Sequence, residues 1–366
     1  PAFEGRIAVI ERDPSYEFCS TTRSWGGVRQ QFSTPENIRM ARFNADFFRA
    51  AHETLAVDGE GPQLSFREQG YLFLADEAQT PALQAAHRLQ SELGAQVALL
   101  QPDELAARFP WLNTQGLVLG SLGTSGEGWL DPHAVLHGFR RKAAAQGVRF
   151  LRDEAMGLLR EGGRIAGVSL REGGRLEAGT TVLCAGWRSG ALAAGAGIGL
   201  PVGPKKRMTY VFDCRTPLAD MPLTIDITGV ATRPEGAQHL GIVSPPEDED
   251  SDCPDLELDH HWFEEVIWPA LAHRIPAFEA IKPTGAWAGH YDVNRFDHNA
   301  VLGGHPELDG ILFCTGFSGH GIQQSPAAGR ATAELIVHGR YVSLDLSALD
   351  YRRIPEARPI REDAVV

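Results

Sequence analysis

Short apolar segments alternate with glycine-containing turns and helical segments along most of the chain. Residues 5–11, 180–184 and 310–314 are runs of strand length, and each is followed by a polar turn. Between them, residues 154–183 and 206–244 contain shorter strand-like segments separated by paired glycines and polar residues, as in hairpins. The pattern predicts an α/β (α+β) chain in which strand–helix units are interrupted by mostly antiparallel strands.

Three segments carry clear helix signals. Residues 34–57 begin with Thr-Pro-Glu, a cap followed by proline and an acid, and residues 131–145 begin with Asp-Pro. The alanine-rich stretch 327–337 predicts a third helix, with Ser325 as its cap and Pro326 in its first turn.

The densest cluster of chemical signals lies between the strand at 310–314 and this last helix. Three glycines within six residues allow backbone N–H groups to approach a ligand beside the positive end of a helix. A loop that merely turns the chain is the alternative explanation. Polar side chains between the glycines favour a ligand contact, and the residues concerned are Gly316, Ser318, Gly319, His320, Gly321 and Gln323.

An acid ends the first apolar strand. In a dinucleotide-binding βαβ unit, a carboxylate at the end of the second strand binds the ribose hydroxyls, about 20 residues after a Gly-x-Gly-x-x-Gly turn. Glu11 has the right position in its strand, but too few residues precede it for that turn to be part of this sequence. Glu11 is therefore an ordinary surface acid unless other features support the assignment.

Two further segments supply that support. The hydroxyl-rich loop at residues 19–32 tightens at Gly26-Gly27, where bare backbone suits a pyrophosphate or a planar ring. Its Arg23 and Arg29 can neutralise anionic groups. A solvated loop packed over a tryptophan is the alternative. The second segment is the strand at 180–184, which runs into Ala185-Gly186, a weak signal by itself.

Composition excludes several classes of function. The net charge of −13 argues against binding to a phosphate backbone, and no apolar run approaches the length of a membrane span. Five scattered cysteines without CxxC spacing indicate reduced thiols in an intracellular protein, and no metal site is predicted. We expect a cytoplasmic protein, or one of the mitochondrial matrix if residues upstream of this sequence hold a presequence.

Together these features resemble the D-amino-acid oxidase/sarcosine oxidase (DAO) superfamily of FAD-dependent oxidoreductases. The shared marks are the strand ending in an acid, the loop with paired glycines, Ala185-Gly186-Trp187, and Gly-Phe-Ser-Gly-His-Gly at 316–321. The resemblance covers nearly the whole chain except the Gly-x-Gly-x-x-Gly unit. It implies a Rossmann-like FAD-binding domain interleaved with a mostly antiparallel β-sheet substrate domain. The first would comprise residues 1–50, 130–204 and 286–345, the second 51–129 and 205–285, with a surface tail at 346–366.

The resemblance also implies the cofactor and its contacts. Gly289 stands where some sarcosine oxidases attach flavin through a cysteine, so FAD is expected to bind non-covalently. The family's cofactor contacts, carried over position by position, fall on Glu11, Arg12, Thr21, Thr22, Gly26, Gly27, Ala155, Ala185, Gly186, Trp187, Gly316, Ser318, Gly319, His320, Gly321 and Ile322.

The implied reaction is oxidation of a C–N bond in a secondary or primary amine or amino acid, similar to sarcosine or glycine. A hydride would pass from the substrate carbon to the flavin. The expected catalytic side chains are His290, Tyr291 and His320. Arg29 and Gln323 are expected to bind the substrate, although Gln323 replaces a lysine that often holds the carboxylate in this family.

The electron acceptor is also predicted from the resemblance. Oxidases of the family use a lysine to activate oxygen, and its position corresponds to the region near Gln238-His239. This difference favours a dehydrogenase that passes electrons to a protein or quinone. Two other functions stay open: a non-catalytic assembly or binding factor for a respiratory complex, and a flavin-free remnant that lacks most of the pyrophosphate cradle.

Overall fold

The computed structural model describes residues 3–362. Within this range the strands are β1 (Ala8–Glu11), β2 (Gly27–Val28), β3 (Tyr71–Ala75), β4 (Val97–Leu100), β5 (Leu119–Gly123), β6 (Gly128–Trp129), β7 (Arg149–Arg152), β8 (Ala155–Glu161), β9 (Arg164–Leu170), β10 (Arg175–Glu177), β11 (Thr181–Leu183), β12 (Val202–Cys214), β13 (Leu223–Ile225), β14 (Ala231–Glu235), β15 (Gln238–Ile242), β16 (Ile281–Asn294), β17 (Val301–Gly304) and β18 (Ile311–Thr315).

The α-helices alternate with these strands and are mostly short. Their bounds are α1 (Pro35–Arg49), α2 (Ala51–Thr54), α3 (Thr80–Glu92), α4 (Pro102–Arg108), α5 (Pro132–Ala145), α6 (Ser189–Gly195), α7 (Trp268–Arg274) and α8 (Gly321–His338). No helix in the described part of the chain is long and apolar enough to cross a membrane.

Parallel and antiparallel strands occupy different sheets. β1 pairs in parallel with β7, and β11 pairs in parallel with β18. On its other side β18 pairs with β17, which is antiparallel to it. The largest sheet has eight strands in the order β16-β12-β15-β14-β13-β3-β5-β4, and only the β13–β3 pair in it is parallel. An α/β chain with a large, mostly antiparallel sheet is the fold class that the sequence predicts. β16 belongs to this large sheet and crosses the boundary that the sequence places between residues 285 and 286.

The cores lie on the faces of these sheets. One core packs β11 and β18 against α6 and includes Leu183, Ile198 and Phe313. Another packs one face of β12 against α7, with Phe212 and Phe278 fully buried. A third core joins α1, α5 and Val28 of β2, so it anchors the loop of residues 19–32 at this strand.

Helix α8 begins earlier than its proline suggests, so the prediction of a cap at Ser325 is wrong. Pro326 lies inside the helix and cannot donate to the carbonyl of Ile322, four residues back. The hydroxyl of Ser325 donates to that carbonyl at 3.0 Å instead, so the carbonyl keeps a hydrogen-bond donor. The glycine turn is therefore shorter than predicted, and Gly321 is the first residue of the helix.

Residues 346–353 do not form a surface tail, contrary to the prediction from the sequence, whereas residues 355–359 are exposed. Leu346, Leu349 and Tyr351 are buried, and Arg353 is 2 % exposed. The Arg353 guanidinium pairs with the buried carboxylate of Asp297, with Nε donating to Oδ2 at 2.8 Å. This segment thus completes the core beneath β17.

Candidate active site

A buried carboxylate shapes the glycine turn between β18 and α8. Asp292, on β16, accepts hydrogen bonds from the backbone N–H groups of Gly316 at 2.8 Å and Phe317 at 3.2 Å. Burial raises the pKa of Asp292 to about 6, while the hydrogen bonds from the turn act in the opposite direction. Both amides already donate to Asp292, and the cofactor contact expected at Gly316 stays a prediction. The sequence did not single out Asp292.

The backbone of the turn has a positive φ angle at two neighbouring residues, Ser318 and Gly319. Gly319 has φ +94° and its α-carbon faces the ring of Tyr291, where an added Cβ would lie 2.4 Å from a ring atom. Ser318 has φ 51°, which is uncommon for a residue with a side chain. The backbone N–H of Asn294 donates to the Ser318 hydroxyl at 3.0 Å and stabilises this conformation.

The first turn of α8 meets the loop that carries Arg29. The Arg29 backbone N–H donates to the side-chain oxygen of Gln323 at 2.9 Å, and its Nη2 lies 3.0 Å from Nε2 of His320. Because arginine can only donate, Nε2 of His320 is the acceptor, which places the histidine proton on Nδ1. The structure thus brings together Arg29, His320 and Gln323, three residues singled out from the sequence.

The electrostatics of this group keep His320 neutral. Burial, followed by the nearby charge of Arg29, lowers the pKa of His320 to about 3. Burial also lowers the pKa of Arg29, whose guanidinium lies over the rings of Phe32 and Phe73 at 4.6 and 5.1 Å. His320 therefore acts as a neutral hydrogen-bonding group at physiological pH and is not a proton donor in the imidazolium form.

A cavity opens between this group and the large sheet. One end is bordered by the loop of residues 19–32 and by α8, and the other by an apolar wall from β13–β15. Its lining includes Ser20, Ser24, Gly26, Gly27, Arg29, Tyr71, Arg207, Thr209, Leu223, Ile225, Ala231, Ile242, Val243, Tyr291, Gly319, His320, Ile322 and Gln323. Many of the predicted site residues thus border one space.

Tyr291 and His290 do not share the same surroundings, although both border the cavity. Successive strand residues point to opposite faces of a sheet. Tyr291 contacts the glycine turn, and among residues 3–362 its hydroxyl has no hydrogen-bond partner. His290 instead packs against Trp187, with ring centroids 5.2 Å apart, and its Nε2 lies 3.1 Å from the carbonyl oxygen of Asp255. Burial lowers the pKa of His290.

Glu127 is a second buried carboxylate that the sequence did not identify as part of the site. It accepts from the Gln30 backbone N–H at 2.7 Å and from the Gln31 side chain at 2.8 Å. Burial raises the pKa of Glu127 to about 7. These bonds fix the backbone immediately after Arg29. Its only sequence signal is an acid between two glycines, which is too common to be informative.

The remaining predicted cofactor residues lie at the carboxyl ends of β1, β7 and β11. Glu11 ends β1, and Arg12 lies 3.7 Å from Glu154, just before Ala155. Burial and the charge of Arg12 lower the pKa of Arg188, whereas Glu154 and Glu11 raise it, so these charges are neighbours. Ala185 and Gly186 connect β11 to a short 3-10 helix, and the Gly186 φ of +55° suits glycine.

Thr21 and Thr22 lie in the loop between these two regions. The Thr22 hydroxyl donates to the Tyr16 carbonyl at 2.6 Å, and the Thr21 carbonyl accepts from Ser24 at 2.8 Å. Both threonines therefore shape the loop itself. The structure thus assembles the predicted residues into two groups, one at the strand ends and one at the cavity, joined by Trp187 and His290.

A family model described as "FAD dependent oxidoreductase" (DAO) matches residues 3–335. The chain belongs to the DAO family of FAD-dependent oxidoreductases. It is 42% identical to FAD-dependent oxidoreductase domain-containing protein 1 of Xenopus laevis, over 99% of this chain and 79% of that protein. It is 28% identical to glycine oxidase of Bacillus licheniformis, over 69% of this chain and 65% of that protein.

The fold agrees with this assignment. The crystal structure of L-proline dehydrogenase from P. horikoshii superimposes with a TM-score of 0.83 at 25% identity, over 97% of this chain and 92% of the other. The family resemblance, the fold class and FAD as the cofactor, all predicted from the sequence, are thereby confirmed. The individual site residues and the domain boundaries stay predictions.

The residues of this DAO-family chain fit a long dinucleotide cofactor. The N–H groups in the first turn of α8 have no acceptors within the helix, and the helix dipole favours electron-rich groups there. Glu11 lies at the other region, where a carboxylate suits ribose hydroxyls. We expect Gly26, Gly27 and Ile322 to contact the flavin and Glu11 the adenosine end.

Proposed function

We propose that this FAD-dependent oxidoreductase oxidises the C–N bond of a secondary or primary amine, with small amino acids similar to sarcosine or glycine as the substrate class. The main support is the cavity between α8 and the large sheet, because it joins the predicted flavin contacts to an apolar wall and buried polar groups. Bound FAD supplies the two-electron acceptor for a hydride from the substrate carbon. The similarity to a protein named glycine oxidase and to a structure named L-proline dehydrogenase is in keeping with this class.

The residues around the cavity suit a neutral amine. Arg29 is 3 % exposed and its charge disfavours a second cation nearby, so an ammonium group would lose its proton more readily there. The nitrogen lone pair then assists departure of the hydride from the adjacent carbon. Tyr291 offers a hydroxyl that can orient the amine, and the side chains of β13–β15 exclude water.

The electron acceptor is proposed to be a protein or quinone in place of oxygen. The absence of a lysine near Gln238-His239 does not support this choice, because neither residue borders the cavity. His239 lies instead among the rings of Phe212 and Phe278. In the described part of the chain, arginines border the cavity but no lysine does. That observation supports the dehydrogenase proposal independently of positions 238 and 239.

Anaerobic reduction of the flavin tests this function. The FAD-loaded protein is mixed with sarcosine, glycine, L-proline and a simple secondary amine, and the visible flavin absorbance is followed. We expect bleaching by at least one amine, and slow reoxidation by air but rapid reoxidation by an artificial quinone. No bleaching by a broad panel of amines, with FAD bound, would contradict the proposal and favour a non-catalytic assembly or binding factor.

A further inference from the structure

An acidic loop follows β15 and runs along the edge of β12. This loop, residues 243–259, has no regular secondary structure. β12 pairs with β16 along its whole length but with β15 only from Tyr210 onward, so its first half has a free edge. The loop covers this edge, and the Cys253 backbone N–H donates to the Pro204 carbonyl at 3.2 Å.

Three consecutive cations of β12 each pair with an acid of this loop. Lys206 Nζ lies 2.7 Å from Asp255, and Lys205 Nζ lies 3.9 Å from Asp252. The Arg207 pair is different, because both oxygens of Asp250 accept from Nη1 and Nη2 at 2.8 Å. This parallel two-bond arrangement is the geometry with which arginine binds a free carboxylate.

Of these three cations, only Arg207 borders the cavity, and its partner Asp250 lies outside the lining. Arg207 and Thr209 border it from alternate positions of β12, whereas Lys205 and Lys206 do not. The Arg207 guanidinium lies over the ring of Tyr291, 5.3 Å from its centroid. A carboxylate bound by Arg207 would thus lie beside the residue expected to orient the amine.

Arg207 has more hydrogen-bonding capacity than Asp250 uses. Its side chain is 9 % exposed, and its Nε is buried with no hydrogen-bond partner among the described residues. A buried donor without an acceptor is costly, and such groups in native proteins commonly face a ligand or water. Within residues 3–362, Asp250 is held by this pair and by a backbone turn in which its N–H donates to the Pro246 carbonyl at 2.9 Å.

We propose that Arg207 is the carboxylate-binding residue of the substrate cavity, and that Asp250 occupies its guanidinium until a substrate carboxylate replaces it. The inference rests on the proposed amine oxidation and narrows its substrates to amino acids. The exchange trades one bidentate ion pair for another and returns Asp250 to solvent. The nearby side chains of Ile225, Ile242 and Val243 suit an apolar substituent, so the substrate is an amino acid with an aliphatic side chain or ring.

The test uses a carboxylate that cannot be oxidised. Cyclopentanecarboxylate lacks the amine nitrogen, and cyclopentanecarboxamide is its neutral counterpart. Their binding to the FAD-loaded protein is measured by calorimetry and by the change in the flavin spectrum. In Asp250→Asn the competing charge is gone, and we expect cyclopentanecarboxylate to bind about tenfold tighter, with binding of the amide unchanged.

Tighter binding in Asp250→Asn could come from release of the Arg207 guanidinium or from loosening of the acidic loop, and two further variants distinguish these causes. Asp255→Asn breaks the neighbouring pair with Lys206, and we expect cyclopentanecarboxylate affinity within about twofold of that of the unchanged protein. Arg207→Gln removes the guanidinium and is expected to abolish the preference for carboxylate over amide. Thermal melting checks that each variant is folded. If Arg207→Gln does not fold, the comparison of Asp250→Asn with Asp255→Asn still tests the proposal.

Equal tightening in Asp250→Asn and Asp255→Asn would overturn the proposal, since loosening the loop would then explain the gain. So would unchanged affinity in Asp250→Asn. If the proposal fails in this way while amines still bleach the flavin, amine oxidation stands and the carboxylate is held elsewhere or is not required. If no amine bleaches the flavin but Arg207 binds the carboxylate, the proposed reaction fails and the binding site stands.

Discussion

Two buried carboxylates, at positions 127 and 292, organise the active site at the scale of single residues. Each accepts two hydrogen bonds from the chain around the cavity, and burial raises the pKa of both. Glu127 fixes the segment after Arg29, and Asp292 fixes the turn before α8. Neither could be recognised from the sequence, because a single acid gives no sign of where the fold will bury it.

The raised pKa of Glu127 predicts a specific pH dependence of stability. The native state holds the proton more tightly than the unfolded chain, so stability from this group is present below its ordinary pKa of 4.5 and is lost as pH rises to about 7. The loss is up to about 3 kcal/mol, at about 1.4 kcal/mol per pKa unit. Urea unfolding across this range measures it, and in Glu127→Gln the fall should be smaller by this amount, leaving the part that comes from Asp292.

Glu264→Gln, a substitution at an exposed residue, is the control for this experiment. This variant should retain the fall in stability between pH 4.5 and 7. If Glu127→Gln shows the same pH dependence as the unchanged protein, Glu127 is not the titrating group. Asp292 would then be the next candidate, because its pKa is also raised.

At the scale of elements, the segment after α8 is an integral part of the fold. Arg353 spans from this segment to Asp297, the Asn299 carbonyl and the Leu349 carbonyl. Asp297 in turn accepts from the side chain of Asn294 at 2.8 Å, and Asn294 is the residue whose backbone N–H stabilises Ser318. The segment therefore supports the glycine turn from behind.

Removing the Arg353 side chain should destabilise the protein strongly. Arg353→Ala leaves the buried Asp297 carboxylate without its cation, which costs about 3–5 kcal/mol. Arg352→Ala is the matched control, because the Arg352 side chain is 64% exposed and its salt bridge in the described part of the chain is with Glu356, so we expect a change within about 0.5 kcal/mol. Denaturant unfolding of both variants makes the comparison, and similar losses would show that the buried pair does not hold the segment.

At the scale of the whole molecule, the residues that are predicted to bind the cofactor come from distant parts of the chain. The region at Glu11 is formed by β1, β7 and β11, whereas the cavity is formed by the loop at 19–32, α8 and the large sheet. A ligand that reaches both regions should stabilise the molecule more than one that reaches only the cavity.

This arrangement predicts a difference between FAD and FMN. We expect FAD to have a lower Kd than FMN, so FAD should raise the melting temperature more at equal concentration. A ligand in hundredfold excess over its Kd adds about 2.7 kcal/mol to the free energy of unfolding. Glu11→Ala should reduce the FAD effect and leave that of FMN unchanged. Glu17→Ala, an exposed acid in the nearby loop, serves as control. Equal effects of FAD and FMN would mean that the region at Glu11 does not contribute to binding.

The sequence by itself determined the fold class, the family and the cofactor, because these depend on local patterns. A strand ending in Glu11, a loop with Gly26-Gly27 and the turn at 316–321 are short contiguous motifs, so they can be read directly along the chain. Strand and helix periodicity likewise follows from burial of one face.

Only the tertiary structure decided which side chains meet in the site. It paired Asp250 with Arg207, placed Asp292 beneath the glycine turn and turned His290 toward Asp255. It also buried Leu346, Leu349, Tyr351 and Arg353 of the segment that the sequence predicted to be a surface tail. Each of these depends on strand register and on burial set by residues far away in the chain. Charge and hydrogen-bond partners at such distances leave no periodic signal, and they appear only when the sheets and helices have packed.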